Sequence, residues 1–364
     1  MEGMPMETNI FRMKSRPTTL ANKDFVSIGG AITKYTNTME RGLEEQAIGI
    51  PVPGEDPTDS KLRAVDVLEA APCIKIGSTD TLPLVYFHDG IQRTQFVGNV
   101  FSEPIKRLVP IMFTTVGAIV VHLDGEHVRQ YLDPIIIERF ITPEKSLLPK
   151  EIADSIPPDF LHELPGFVAT THPNEFRKRM FEDVVKRLRQ DTEHKIIKAF
   201  EARNPDDWLV IDGPLRDIAP VEKRVGIVKR HVSYLLDGDL MFDVLKDFVA
   251  NSGTRVRSCK FKVTYKTAHA KEILACYSKL LYNFKSGIVN NPEFSLIRVE
   301  TAYKHAAEFD KILNMVLAMN SPMSKPSDSW DKKIYPIYQA ELFLKANAKD
   351  DKLIRAAFGG FDFA

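Results

Sequence analysis

Two short apolar runs in this chain are each closed by Asp-Gly. Residues 84–87 lead into His88, Asp89 and Gly90, and residues 208–211 lead into Asp212 and Gly213. Between them, Glu193 lies on a stretch with helical periodicity. Ile196, Ile197 and Phe200 follow it by three, four and seven residues, which puts its carboxylate on the same helix face as the apolar stripe. A carboxylate on a core-facing stripe is costly without a partner. A metal ion is one such partner, and Arg189, one turn earlier, is another. Three carboxylates are hard oxygen ligands of the kind that suits Mg²⁺ or Mn²⁺. Taken singly, Asp-Gly is equally an ordinary turn, and a Glu beside apolar neighbours is equally a salt-bridged edge residue.

The elements that must position these groups are legible from periodicity. Residues 84–87, 94–101 and 110–123 predict β elements. Residues 175–203 predict the clearest helix, with Phe176, Met180, Val184 and Leu188 spaced by four. Residues 208–211 and 225–228 predict short strands. A helix near 240–249, a strand near 256–265 and a late helix near 302–319 follow. The chain order is therefore three β elements, the first bearing Asp89, then a helix bearing Glu193, then a strand ending in Asp212. That is the order of the ribonuclease-H-like fold, so the expected class is α/β: a ribonuclease-H-like mixed β-sheet core flanked by helices. In that fold such carboxylates converge on one or two divalent ions. Phosphodiester hydrolysis needs this arrangement, one ion generating hydroxide and the other stabilising the leaving oxygen. Residues 1–79 read as an N-terminal extension, with a turn-rich loop at 51–60. The prolines between 133 and 174 predict an insertion or lid without long regular elements. The main domain would span 80–350, and 351–364 would be a tail.

The segments LVIDGPL at 209–215 and VGIVKRH at 225–231 resemble the NurA nuclease family, which pairs an apolar strand ending in Asp-Gly-x-Leu with a downstream Gly-(apolar)₂-Lys. Asp89-Gly90 is similar to that family's first Asp-Gly-Ser motif, with Ile91 in place of the serine. Glu193 stands where the family has its helix glutamate. LIRVE at 296–300 resembles an Arg-(apolar)-Glu segment, and Tyr335-Pro336 a C-terminal Tyr-Pro motif. The family's histidine shortly after Tyr-Pro is missing here, and Glu341 is the oxygen ligand that could replace it. The resemblance implies a Mn²⁺- or Mg²⁺-dependent 5′-to-3′ exonuclease, often also an endonuclease, on single- and double-stranded DNA. It further implies a homodimer working with a HerA-type hexameric ATPase in DNA end processing or defence. Lys229, at a strand end beside Asp212, would stabilise phosphorane charge or position the attacking water; a solvated lysine is the bland alternative. Arg216 and His231 are candidate phosphate contacts, with surface roles as the alternative. Arg255, Arg257, Lys260, Lys262 and Lys266 form a basic strip, in part alternating with Phe261, Val263 and Tyr265. Such a strip would track a DNA backbone, or be merely a solvated sheet face.

Composition constrains the rest. Lys plus Arg and Asp plus Glu both number 49, so any DNA-binding surface must be a local patch and not a global field. Cys73, Cys259 and Cys276 form no CxxC pair, which predicts a reduced, cytoplasmic setting. The apolar stretch 108–123 is too short to cross a membrane, and the first residues carry no apolar signal core. Two other readings stand beside the nuclease. One is a catalytically inactive DNA-binding or ATPase-docking subunit on the same fold, suggested by the missing histidine and serine. The other is an unrelated α/β enzyme on a small phosphorylated molecule, weakened by the absence of GxGxxG, Walker A and GxSxG motifs.

Overall fold

The structure is a computed structural model that describes residues 19–35, 62–77, 81, 83–215, 223–231, 234–265, 271–281, 291–319 and 330–357. Helix α1 (Asn22–Tyr35) comes first, then strands β1 (Leu62–Val67) and β2 (Cys73–Lys75). A long hairpin follows, β3 (Tyr86–Ser102) and β4 (Arg107–Asp124), then β5 (His127–Gln130) and β6 (Ile135–Thr142). Helix α2 (Lys150–Ser155) and strand β7 (Leu161–Glu163) lead to α3 (Pro173–Arg179), which runs through a π-helical turn, Met180–Val185, into α4 (Lys186–Arg203). Strands β8 (Leu209–Asp212) and β9 (Arg224–Val228), helix α5 (Gly238–Ala250), and strands β10 (Val256–Ser258), β11 (Phe261–Tyr265), β12 (Lys271–Lys279) and β13 (Leu296–Ala302) come next. Helices α6 (Phe309–Ala318), α7 (Tyr335–Asn347) and α8 (Asp351–Ala357) complete the described chain.

One mixed sheet organises all of this, in the order β1-β11-β12-β13-β9-β8-β3-β4-β6-β7. Strands β3, β4 and β6 form an antiparallel meander. After the α4 crossover, β8 adds parallel to β3 and β9 adds parallel to β8. Helices cover both faces. Phe87, Ile91, Val210 and Ile227 pack under α6 and α7, while Leu209, Ile211 and Phe261 pack on the side of α4 and α5. A third core lies at the far end of the hairpin. There Phe25 of α1 meets Phe113 of β4 at 4.7 Å between ring centroids, beside Val100, Phe140, Phe176 and Met180. Each such buried aromatic contributes on the order of 2–3 kcal/mol.

Several elements differ from the sequence reading, each for a physical reason. Residues 84–87 and 94–101 belong to one continuous strand, β3, so Asp89-Gly90 lies inside a strand and not at its end. The proline-rich stretch contributes β6, an eight-residue strand of the sheet with Ile136, Ile137, Phe140 and Ile141 buried; Pro134 and Pro143 bracket it instead of interrupting it. The expected strand near 256–265 is two strands, broken at Cys259 and Lys260. From residues 1–79, α1 joins a core and β1 pairs with β11 at the sheet edge. From residues 351–364, α8 packs on α1, where a Cβ at Gly29 would collide with the Ala357 carbonyl.

Candidate active site

The parallel ladder between β3 and β8 pairs Tyr86 with Leu209, Phe87 with Val210 and His88 with Ile211. One residue further along both strands stand Asp89 and Asp212. Side chains alternate along a strand, and Phe87, Ile91 and Val210 all lie in the core beneath α6 and α7. Asp89 and Asp212 therefore rise from that same face. Asp89 is buried, and its Oδ1 accepts only the neighbouring Gly90 N–H, at 2.8 Å, among the described residues. Burial pushes its pKa well above the ordinary carboxylate range. The negative charge of Asp212 pushes the same way, and Lys229 opposes both. Lys229, one residue past β9, places Nζ 2.8 Å from Asp212 Oδ1. Glu341 on α7 is close enough for its charge to act on Asp89, while it pairs with Lys345 one turn along its own helix.

Glu193 arrives from the opposite face. Its Oε1 comes so near the Cα of Gly90 that a Cβ there would collide with it. Glycine is required at 90 for this approach, and its turn propensity plays no part. Arg189 takes the carboxylate, Nε to Oε1 at 2.7 Å. Burial works against the Arg189 charge, but Glu193, and then Asp89 and Asp212, hold its pKa above the usual arginine value. Arg189 is one of the two partners that the helix periodicity allowed for Glu193. His88 lies among the same charges. Burial pushes its pKa down to about 4, so the ring is neutral at neutral pH, and neither ring nitrogen has a hydrogen-bond partner among the described residues.

The structure thus brings Asp89, Asp212 and Lys229 together, with Glu341 nearby and Glu193 held against the same strand from behind. Among the described residues, no three His, Cys, Asp or Glu side chains gather closely enough to hold a metal ion. The β3 backbone separates Glu193 from the two aspartates, and Arg189 and Lys229 occupy Glu193 and Asp212. The donor set nevertheless fits a hard divalent cation. Two carboxylates stand side by side, and the buried Asp89 has no ion-pair partner among the described residues, so ionising both is costly unless a positive ion joins them.

The remaining candidates lie elsewhere. Arg257 is buried between Glu69 (Nη1 to Oε2 2.6 Å) and Asp310 (Nε to Oδ1 2.9 Å). Lys260 pairs with the same Asp310 at 2.9 Å, and Lys262 with Glu272 and Asp66 at 3.2 and 3.4 Å. These cations tie β1, β10, β11 and the start of α6 together, and each is met by a carboxylate. Strand β11 is also four strands from β8, roughly 19 Å at ordinary strand spacing. Arg255 adjoins β10 and is half-buried. His231 packs on Tyr277, 5.4 Å between centroids, and burial pushes its pKa down to about 3; a neutral ring of this kind brings no charge to a phosphate. Arg216 and Lys266 lie outside the described residues. The segment at 296–300, read from sequence only as a resemblance to an Arg-(apolar)-Glu motif, holds a buried ion pair, Arg298–Glu300. Besides that resemblance, its signal is two charged residues among Leu296, Ile297 and Val299.

No family model matches this chain, and no curated protein matches it. Among solved structures it is similar to the NurA nuclease from Sulfolobus solfataricus, at 13% identity and a TM-score of 0.37, over 81% of this chain and 89% of that one. Among the described residues no helix is long and apolar enough to cross a membrane.

Proposed function

We propose that this chain is a metal-dependent deoxyribonuclease of the NurA type, built on a ribonuclease-H-like sheet. The observation that carries the reading is the pair Asp89 and Asp212 on adjacent parallel strands, with Asp89 buried and without an ion-pair partner among the described residues. The order β6-β4-β3-β8-β9, an antiparallel meander followed by two parallel strands, supports the fold assignment. The motifs around Asp212, Lys229 and Tyr335-Pro336 support the family.

In this reading Asp89 and Asp212 would hold Mn²⁺ or Mg²⁺, with Glu341 as a further oxygen ligand; Glu193 would join them by leaving Arg189 and swinging around Gly90. The ion supplies an activated water and neutralises the leaving oxygen when bound. Lys229, already oriented by Asp212, holds the attacking water or stabilises charge on the phosphorane. Arg189, released from Glu193, is a guanidinium shaped for a phosphate. The substrate is DNA, single- or double-stranded, cut from 5′ ends and internally. The working form is a cytoplasmic homodimer with a HerA-type ATPase.

End-labelled linear DNA incubated with Mn²⁺, Mg²⁺ or EDTA, beside Asp212→Ala, tests this. Metal-dependent shortening that the variant lacks is expected. Equal cleavage by wild type and by Asp89→Ala, Glu193→Ala and Asp212→Ala would sink it. The second reading, an inactive DNA-binding or ATPase-docking subunit, is favoured by the Arg189–Glu193 pair, which holds one carboxylate away from any ion. Metal-dependent turnover by highly purified protein rules it out.

A further inference from the structure

Behind the site, on the far side of β9, lies a buried polar hub to which the proposed chemistry gives no role. Strand β13 pairs with β9, setting Glu300 beside Gly226 and Arg298 beside Val228. Glu300 is fully buried, and its Oε1 receives Arg298 Nε at 2.8 Å. Its other oxygen, Oε2, accepts the Leu215 N–H at 2.8 Å. Leu215 is three residues past Asp212, in a turn that folds over β9. Gly213 donates its N–H to the Ile227 carbonyl at 2.9 Å and adopts φ +126°, a glycine-only backbone. A Cβ at Gly226 would sit 2.9 Å from both the Gly213 carbonyl oxygen and Leu215 Cγ. The turn that carries Asp212 is thus seated on a glycine and tied down by a buried carboxylate.

The same hub holds the other chain segment of the site. On β12, Tyr277 pairs with Arg298, whose guanidinium hydrogen-bonds its phenol. The Tyr277 oxygen accepts the Leu235 N–H at 3.0 Å, and its ring packs on His231. His231 and Leu235 belong to the segment that leaves β9 through Lys229. A buried ion pair is weak evidence for stability and better suited to fixing one arrangement. Here Glu300 satisfies the Leu215 N–H and Tyr277 the Leu235 N–H, two loop donors that would otherwise stay unpaired.

We infer that Glu300 and Tyr277 are positioning residues: through the turn at Leu215 and the segment at His231 and Leu235, they hold Asp212 and Lys229 in contact. The inference rests on the nuclease reading for its catalytic consequence, but its geometric content does not. The test uses Glu300→Gln, which keeps an acceptor but loses the charge, and Tyr277→Phe, which removes one oxygen. Lys229 is labelled by acetylation with an N-hydroxysuccinimide ester and quantified by mass spectrometry, beside Asp212→Asn. In both variants Lys229 labelling rises severalfold toward the Asp212→Asn rate. In both, kcat on DNA falls about tenfold while KM shifts less than about twofold, the signature of a misplaced group. Labelling that stays at the wild-type rate in both, whatever happens to the melting temperature, overturns the inference. If Glu300→Gln does not fold, Tyr277→Phe decides alone. Failure of the nuclease reading shows separately, as wild-type protein without metal-dependent cleavage, and the labelling still decides the geometry.

Discussion

Asp89 carries an unusual burden for a single residue. Its folded pKa lies above the ordinary aspartate value of about 3.9, because burial and Asp212 both disfavour its charge. Between those two values the folded state binds a proton that the unfolded state has lost, so metal-free stability falls as pH rises through that window. Asp89→Asn therefore raises the melting temperature in EDTA at pH 7.5, the gain shrinks toward pH 4, and DNA cleavage is lost. Melts at the two pH values check this; an unchanged or lower melting temperature at pH 7.5 refutes it. Gly90 makes the complementary case. In Gly90→Ala the new Cβ meets the tip of a flexible side chain, Glu193. Stability should change by less than about 1 kcal/mol, since the carboxylate can swing away. Cleavage should fall tenfold or more as the carboxylate moves off the strand. At this scale the residue types were legible, because acids beside apolar runs stand out in a sequence. Their faces were not. Gly90 reads as a turn former, and only the packed helix reveals it as a space for Glu193.

At the scale of elements, α4 does two things with one helical turn. It presents Glu193 to β3 and supplies Arg189 as its counter-ion. Removing the arginine frees a ligand, so Arg189→Gln should bind Mn²⁺ more tightly than wild type, read by electron paramagnetic resonance of the free ion. Weaker binding would show that the arginine organises the site and does not compete for it. The helix reaches this position through the π-helical turn Met180–Val185, whose extra residue per turn lets Met180, Phe181, Val184 and Val185 all face inward. Spacing by four at Phe176, Met180, Val184 and Leu188 signalled the helix but carried no mark of the widened turn. The hairpin β3–β4, the crossover helix and β8 were readable in order from their hydrophobic patterns, although β3 reads as two strands in the sequence. Strand β6 was hidden by the prolines at its ends. The basic strip was misleading for another reason: its partners Glu69, Asp66 and Asp310 are far away in sequence, and nothing local announces that Arg257 and Lys260 are already neutralised.

At the scale of the whole molecule, segments remote from the site are built into the same body. Lys349, just before α8, places Nζ 2.8 Å from Glu138 on β6 and donates to the Leu20 carbonyl at 2.7 Å. The Leu20 N–H returns to Glu138 at 2.8 Å. Lys349→Met should cost about 3–5 kcal/mol in denaturant unfolding, because it strands a buried carboxylate. Adding Glu138→Gln should recover much of that loss; a double variant as unstable as the single one would contradict it. The hairpin β3–β4 joins this end to the other, running from Asp89 past Val100 with one bulge between Phe96 and Gly98 and contributing to all three cores. Many proteins place their working residues on segments that loosen first. Here Asp89 is part of the beam on which the rest of the molecule is assembled. Activity lost on warming should accordingly vanish together with the fold and not ahead of it, and a sample that still shows its full secondary structure after heating should still be competent once cooled.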